Sequence, residues 1–205
     1  LLQVIPFARH KIRVIPNPYN PQLVIGKKAE VLPSPMPEKP VILHIGTKEN
    51  KNLERTLKAL QGLPCHLIIL GKLSPAQEQL LADMSLSYEN HFNLPYEEVG
   101  RLYHRCDILC FASLYEGFGM PIIEAQLVGK PVLSSNIAPM DWVAADAACL
   151  VDPYDPTAIR KGLEKIIHDT PYRETLIRKG RENIRRFEPH TIANMYLEVY
   201  RELGA

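Results

Sequence analysis

The chain has 205 residues, 24 of them Lys or Arg and 23 Asp or Glu, and 46% are hydrophobic. A chain of this length buries roughly 70% of its unfolded surface, enough for one self-sustaining core. The balanced charge and the lack of a polybasic tract argue against a nucleic-acid partner, and no apolar run approaches the ~20 residues of a membrane span.

Residues 1–40 read as linker. Prolines from Pro6 to Pro40 withhold backbone donors and break regular structure throughout this stretch. The first residues carry no basic n-region and no small-residue cleavage site, so they are not read as a signal peptide. The missing initiator Met suggests a piece of a longer chain.

From Val41 onward, short apolar runs alternate with helical patterns. Val41 to Ile45 is predicted as a buried strand, Lys51 to Leu60 as a helix, Leu67 to Leu70 as a strand and Pro75 to Met84 as a helix. A short strand near His91 to Phe92 leads to helix Tyr96 to Cys106, then to strand Ile108 to Phe111 and helix Pro121 to Val128. Strands Val132 to Leu133 and Cys149 to Val151 follow, and then helices Pro156 to His168 and Pro171 to Arg186. The last helix, from about Thr191 to Leu203, puts Ile192, Met195, Tyr196, Val199 and Leu203 on one face. Strands alternating with helices imply an α/β fold, a doubly wound Rossmann-like parallel sheet covered on both faces.

The four cysteines show no paired zinc spacing, and the reading is that of small hydrophobes, with no metal and no disulfide. A cytoplasmic location fits free thiols. His44, inside a strand, reads as a satisfied core histidine.

In such sheets ligands bind beyond the carboxyl ends of the strands, so the loops that follow each strand carry the information. After the first strand come Gly46 and Thr47, with Lys48 and Lys51 nearby. A glycine turn beside an ammonium suits a diphosphate, though both lysines also fit a solvated loop. After the fourth strand, Glu116 to Glu124 reads Glu-Gly-Phe-Gly-Met-Pro-Ile-Ile-Glu. Gly117 and Gly119 let the backbone turn with φ > 0 and let a ligand approach the main-chain N–H groups. Pro121 opens a helix whose N-terminus favours an anion. Glu124, in the first turns of that helix, tilts back toward the N-terminus, so two carboxylates are expected at one cavity, where they would accept bonds from paired sugar hydroxyls. Against this stands the reading in which Glu124 only complements the helix dipole and Glu116 is a solvated loop residue.

Glu116 to Glu124, with the following Gly129-Lys130-Pro131-Val132, resembles the E-x7-E signature and Gly-x-Pro-Val strand of retaining GT-B-type glycosyltransferases of family 4, the glycosyl transferases group 1. The likeness runs from Ile12-Arg13-Val14-Ile15-Pro16-Asn17 to the last helix. It implies one half of a GT-B architecture. Residues 1–40 would be the interdomain linker and tail of a missing N-terminal acceptor domain, residues 41–188 the nucleotide-sugar-binding domain, and residues 189–205 the C-terminal amphipathic helix. In the family that helix crosses back onto the N-terminal domain; packing on its own domain is the expectation for an isolated fragment.

The resemblance also implies an activity, the transfer of a hexose-type sugar from a nucleotide diphosphate sugar without metal or cofactor. Glu116 would bind donor-sugar hydroxyls and is the catalytic candidate; Glu124 would bind the ribose. Gly46, Thr47, Lys51, Gly71, Asn93, Leu94, Gly117, Phe118, Gly119 and Met120 would line the donor site. Two departures stand out. Thr47 replaces the family's Arg, and Lys51 comes about one residue early. Beyond the fifth strand, Asp141-Trp142-Val143 replaces the usual Glu, leaving Trp142 as either a sugar-stacking platform or an aromatic packed at a helix start. A binding domain without turnover, or an epimerase or phosphorylase on the same fold, remains an alternative. Membrane association of the parent stays open.

Overall fold

The computed structural model describes residues 12–23 and 35–204. Six strands form one all-parallel sheet: β1 Val41–Ile45, β2 His66–Leu70, β3 Ser87–His91, β4 Ile108–Phe111, β5 Val132–Ser135 and β6 Cys149–Val151, in the order β3-β2-β1-β4-β5-β6. Connections run outward in one direction from β1 to β3 and in the other from β4 to β6. The crevice between these two halves therefore opens above the carboxyl ends of β1 and β4.

Among the described residues, eight α-helices return the chain between strands or follow the sheet: α1 Leu53–Leu60, α2 Pro75–Ala82, α3 Tyr96–Arg105, α4 Met120–Leu127, α5 Met140–Ala144, α6 Pro156–His168, α7 Thr170–Asn183 and α8 Pro189–Glu202. Because side chains alternate along a strand, successive residues feed two separate cores. Ile42, Leu67 and Ile108 pack with Leu53 and Leu57 of α1 and with Leu163 and Ile166 of α6. Leu43, Ile68 and Leu109 point the other way, to Leu102 and Tyr103 of α3, Ile122 and Ile123 of α4, and Phe187. All four cysteines are free and buried, and burial lifts the thiols of Cys106 and Cys110 to about 12.

The alternation and the doubly wound sheet are as the sequence predicts. Several boundaries differ. The third strand is Ser87–His91, earlier than expected, because this edge strand pairs only with β2 and so carries polar residues in place of an apolar run. The helix expected from Lys51 is a 3-10 turn Glu49–Lys51, then Asn52 in the left-handed region (φ 63°), then α1. The helix expected to reach Arg186 ends at Asn183 and tightens into a 3-10 turn, Ile184–Phe187. The short helix α5 matches no predicted element of its own.

Of the expected linker, residues 1–11 and 24–34 lie outside the described residues. Within the remainder, the Tyr19 N–H donates to the Phe187 carbonyl at 3.0 Å, and Leu23 is fully buried against α3. Helix α8 buries only Ile192, whereas Tyr196, Leu197 and Tyr200 of the same helix, and Leu203 just past its end, stay exposed. It therefore meets its own domain mainly at its start, and its later turns carry an ion pair from Glu202 to Arg13 at 2.6 Å. No helix of the described residues is long and apolar enough to cross a membrane.

His44 is buried in β1; neither ring nitrogen has a well-aligned hydrogen-bond partner among the described residues and only the Gly46 backbone offers a weak contact, so it is a core histidine but not the fully satisfied one expected. Burial disfavours the imidazolium and lowers its pKa to about 4. Above pH 6.5 the ring is neutral in both folded and unfolded chains and contributes no pH dependence. As pH falls from 6.5 to about 4, only the unfolded chain takes up the proton, so stability drops by about 3 kcal/mol across that window. Urea unfolding at pH 7 and pH 4.5 should show most of this loss, about 2–3 kcal/mol, in the unsubstituted chain and a much smaller one in His44→Leu.

Candidate functional site

The crevice is closed by two loops bonded to each other. One follows β1 and runs from Gly46 to Asn52; the other follows β4 and runs from Ala112 to Gly119. The Leu114 N–H donates to the Asn50 carbonyl at 2.8 Å, and Asn50 Nδ2 donates to the Tyr115 carbonyl at 3.0 Å. Asn52 Nδ2 donates to the Ala112 carbonyl at 2.9 Å and to Pro153 O, beyond β6, at 2.7 Å. Lys51 Nζ meets Glu116 Oε1 at 2.6 Å, with only 21% and 13% of the two side chains exposed. Three successive residues thus reach across from one loop to the other.

Gly46 makes the lysine's path available. Its φ is 91°, and a Cβ there would fall 2.5 Å from Lys51 Cγ, so the lysine stem crosses the glycine backbone on its way to Glu116. The ammonium also lies 5.2 Å from the centre of the Phe111 ring. Thr47 is engaged elsewhere. Its hydroxyl donates to the Lys72 carbonyl at 2.5 Å, its own carbonyl accepts from Gln77 Nε2 at 2.8 Å, and its side chain packs on Gly71. Thr47 and Gly71 together tie the loops after β1 and β2. Lys48 is exposed.

In the second loop, Gly119 has φ 112° and precedes α4, with Pro121 at the second helical position. Gly117 does not take a positive φ, contrary to expectation. A Cβ at Gly117 would meet nothing within 4 Å, so neither the turn nor packing requires glycine there; the bare backbone faces open space. Gly117 and Phe118 line a cavity of about 650 Å³ together with Ile15, Asn17, Pro139 and Trp142. Trp142 is the third residue of α5 and 48% exposed. Its ring meets Phe118 and Phe187 edge to face at 6.5 and 6.1 Å, and the Arg186 guanidinium lies 4.5 Å from its centre. It is therefore half packed against aromatic neighbours and half open to the cavity.

Glu124 belongs to a different network. Tyr103 donates to its Oε2 at 2.6 Å, and Tyr96 to its Oε1 at 3.4 Å. Burial raises the Glu124 pKa, and the two tyrosine bonds offset part of that rise. Asn93 is exposed with φ 56°, Leu94 is partly buried, and Met120 opens α4. The fold thus joins Lys51 to Glu116 and Gly46, and Thr47 to Gly71, while Glu124 is held from α3. Sequence reasoning passed over Asn50, Asn52, Tyr96 and Tyr103. The seven-residue spacing of the tyrosines on α3 was the readable signal for those two. Among the described residues no group of three or more His, Cys, Asp or Glu side chains is arranged to hold a metal ion.

A six-stranded parallel sheet with this order and a crevice at its reversal point define the doubly wound class of α/β domain, in which ligands bind at the carboxyl ends of the strands. The family model described as glycosyl transferases group 1 matches residues 29–183, and the chain belongs to that family. It is 32% identical over 144 residues to O-antigen chain mannosyltransferase B from Escherichia coli, covering 62% of this chain and 36% of that protein. Among solved structures, sucrose-phosphate synthase from Thermosynechococcus elongatus superposes with a TM-score of 0.78 at 23% identity, covering 98% of this chain and 56% of that one. The Anabaena protein HepE, solved in complex with UDP-glucose, superposes with a TM-score of 0.69 at 19% identity over 80% of this chain and 49% of that one. Both are likenesses of fold, of the GT-B kind. The chain spans about a third of the length of the mannosyltransferase it matches.

Asn52→Ala would orphan two buried carbonyls and place alanine at a positive φ. We expect a loss of about 2–4 kcal/mol in stability, read from denaturant midpoints.

Proposed function

We propose that this chain is the donor-binding half of a retaining glycosyltransferase, which takes a hexose-type sugar from a nucleotide diphosphate sugar without a metal ion. The observation that carries this reading is the Lys51 to Glu116 pair at the mouth of the crevice, beside the exposed Gly117 backbone and the start of α4. An ammonium next to a helix N-terminus suits the charge that develops on a leaving diphosphate. The adjoining carboxylate suits sugar hydroxyls. The mannosyltransferase name of one relative and the UDP-glucose bound to HepE agree with a nucleotide sugar as ligand. The acceptor would enter from a domain outside this chain.

On this reading the ion pair is a resting arrangement. When the donor arrives, its diphosphate takes the Lys51 ammonium and its sugar takes the Glu116 carboxylate, so two charges paired in the free protein each find a ligand partner. Glu116 then contacts the sugar as the anomeric bond loosens, and Lys51 with the α4 N-terminus receives the charge left on the phosphate.

Calorimetry with UDP, GDP, ADP and dTDP should find at least one that binds, and Lys51→Ala should weaken that one by about 1.5–3 kcal/mol. No binding of any of them at millimolar concentration would refute the reading. Glu116→Gln should leave affinity for the bare nucleoside diphosphate unchanged or tighter, since Lys51 loses its resting partner, yet weaken the corresponding nucleotide sugar. Equal losses for both ligands would remove the sugar contact from Glu116.

A further inference from the structure

The partners of Glu124 come from α3, an element outside the loop and helix that carry the glutamate itself. Tyr96 and Tyr103 stand seven residues apart, two turns along one stripe of α3. Their contacts differ. Tyr103 is fully buried, and its 2.6 Å bond to Oε2 has the length of a charge-assisted O–H to carboxylate contact. Tyr96 is 38% exposed, and its 3.4 Å contact to Oε1 lies near the limit of a hydrogen bond.

We propose that Tyr103 is a positioning residue that anchors one oxygen of Glu124 so that the other, Oε1, is presented to the ribose of the bound nucleotide, with Tyr96 the exchangeable donor that gives way to a ribose hydroxyl. This rests on the donor-binding reading above. A carboxylate on a flexible side chain that accepts a hydroxyl must be ionised and correctly turned. The Tyr103 bond serves both needs: it fixes the plane of the carboxylate, and it opposes the rise in Glu124 pKa that burial causes. The other groups around this pair are Asn20, which lies near Tyr96, and Cys106, which lies near Tyr103. The cause of each tyrosine's raised pKa is burial first and Glu124 second, so neither phenol ionises in the working range and both remain donors.

Chemically, the arrangement divides one carboxylate between a structural and a ligand-facing oxygen. An oxygen bonded only by a long, half-exposed contact keeps lone pairs for an incoming diol. Exchange of one O–H donor for another at Oε1 costs little, because no buried group is left without a partner at any stage. Loss of the Tyr103 hydroxyl would instead leave Oε2 without its donor and the side chain free to turn.

The test uses this chain with Tyr103→Phe and Tyr96→Phe. Carboxyl-carbon NMR without nucleotide should show Glu124 titrating at higher pH in Tyr103→Phe than in the unsubstituted chain. Calorimetry at pH 7 with UDP, GDP, ADP and dTDP, each against inorganic pyrophosphate, should show Tyr103→Phe weakening the preferred nucleotide about 10-fold while leaving pyrophosphate within 2-fold. The remaining ribose-dependent affinity should fail at a higher pH as acid is added. Tyr96→Phe should hold or tighten nucleotide affinity. Equal losses for nucleotide and pyrophosphate in Tyr103→Phe, or an unmoved Glu124 titration, would overturn the positioning role. Should Tyr103→Phe not fold, a 5-fold loss of nucleotide affinity in Tyr96→Phe overturns the proposal by itself. If pyrophosphate and all four nucleotides fail to bind the unsubstituted chain, the donor-binding reading and the ribose contact fall together, while the Glu124 titration still reports whether Tyr103 holds the carboxylate.

Discussion

The lacing of the loop after β1 to the loop after β4 is the contact on which the rest of the crevice depends. A parallel sheet leaves the carboxyl ends of its strands connected to helices on opposite faces, so nothing in the sheet itself holds these loops at a fixed separation. Here residues 50, 51 and 52 each bond across the gap, and Asn52 adds a third loop through the Pro153 carbonyl. The left-handed turn at Asn52 is part of the same device. It stops the 3-10 turn, starts α1 on a new axis and buries an amide whose two donors satisfy carbonyls that would otherwise be stranded. An ion pair drawn largely out of water is a weak source of stability because both charges lose hydration, so the Lys51 to Glu116 pair adds little folding energy to the lacing.

The carboxylates of the Glu116 to Glu124 segment are separated by this arrangement into two roles. Glu116 precedes the glycine turn and faces the β1 side, where the Lys51 stem crosses Gly46. Glu124 lies beyond the first turn of α4 and faces α3, where burial and two phenols set its environment. Each is therefore governed by a different crossover of the sheet. Gly117 stands between them with its backbone exposed and with room for a Cβ that the sequence does not use.

At the margin, the half-open Trp142 and the exposed face of α8 have a shared geometry. Residues 14–17 line the cavity beside Trp142, and residues 13–15 also line a small cleft against Met195 and Val199 of α8. The segment ahead of the sheet is thus in contact with both the glycine loop and the last helix. Its docking through Tyr19 and Leu23 makes it part of the domain's packing and not only a connection.

The alternation of strands and helices, the fold class and the segment with two glutamates were legible in the sequence because each is a local pattern: apolar runs of strand length, helical spacing, a proline after a glycine turn. Gly119 before a proline at the second helical position was readable for the same reason. The edge strand β3 was harder, since a strand paired on one side need not be apolar. Tertiary structure alone decided who meets whom. No local rule says that Lys51 ends on Glu116, 65 positions away, that Asn52 joins three loops, or that Glu124 is held by Tyr103. Those contacts exist because the strand order brings β1 beside β4 and puts α3 and α4 on the same face of the sheet. Order in a parallel sheet is set by how whole elements pack their two faces, not by any residue's own preference for strand or helix.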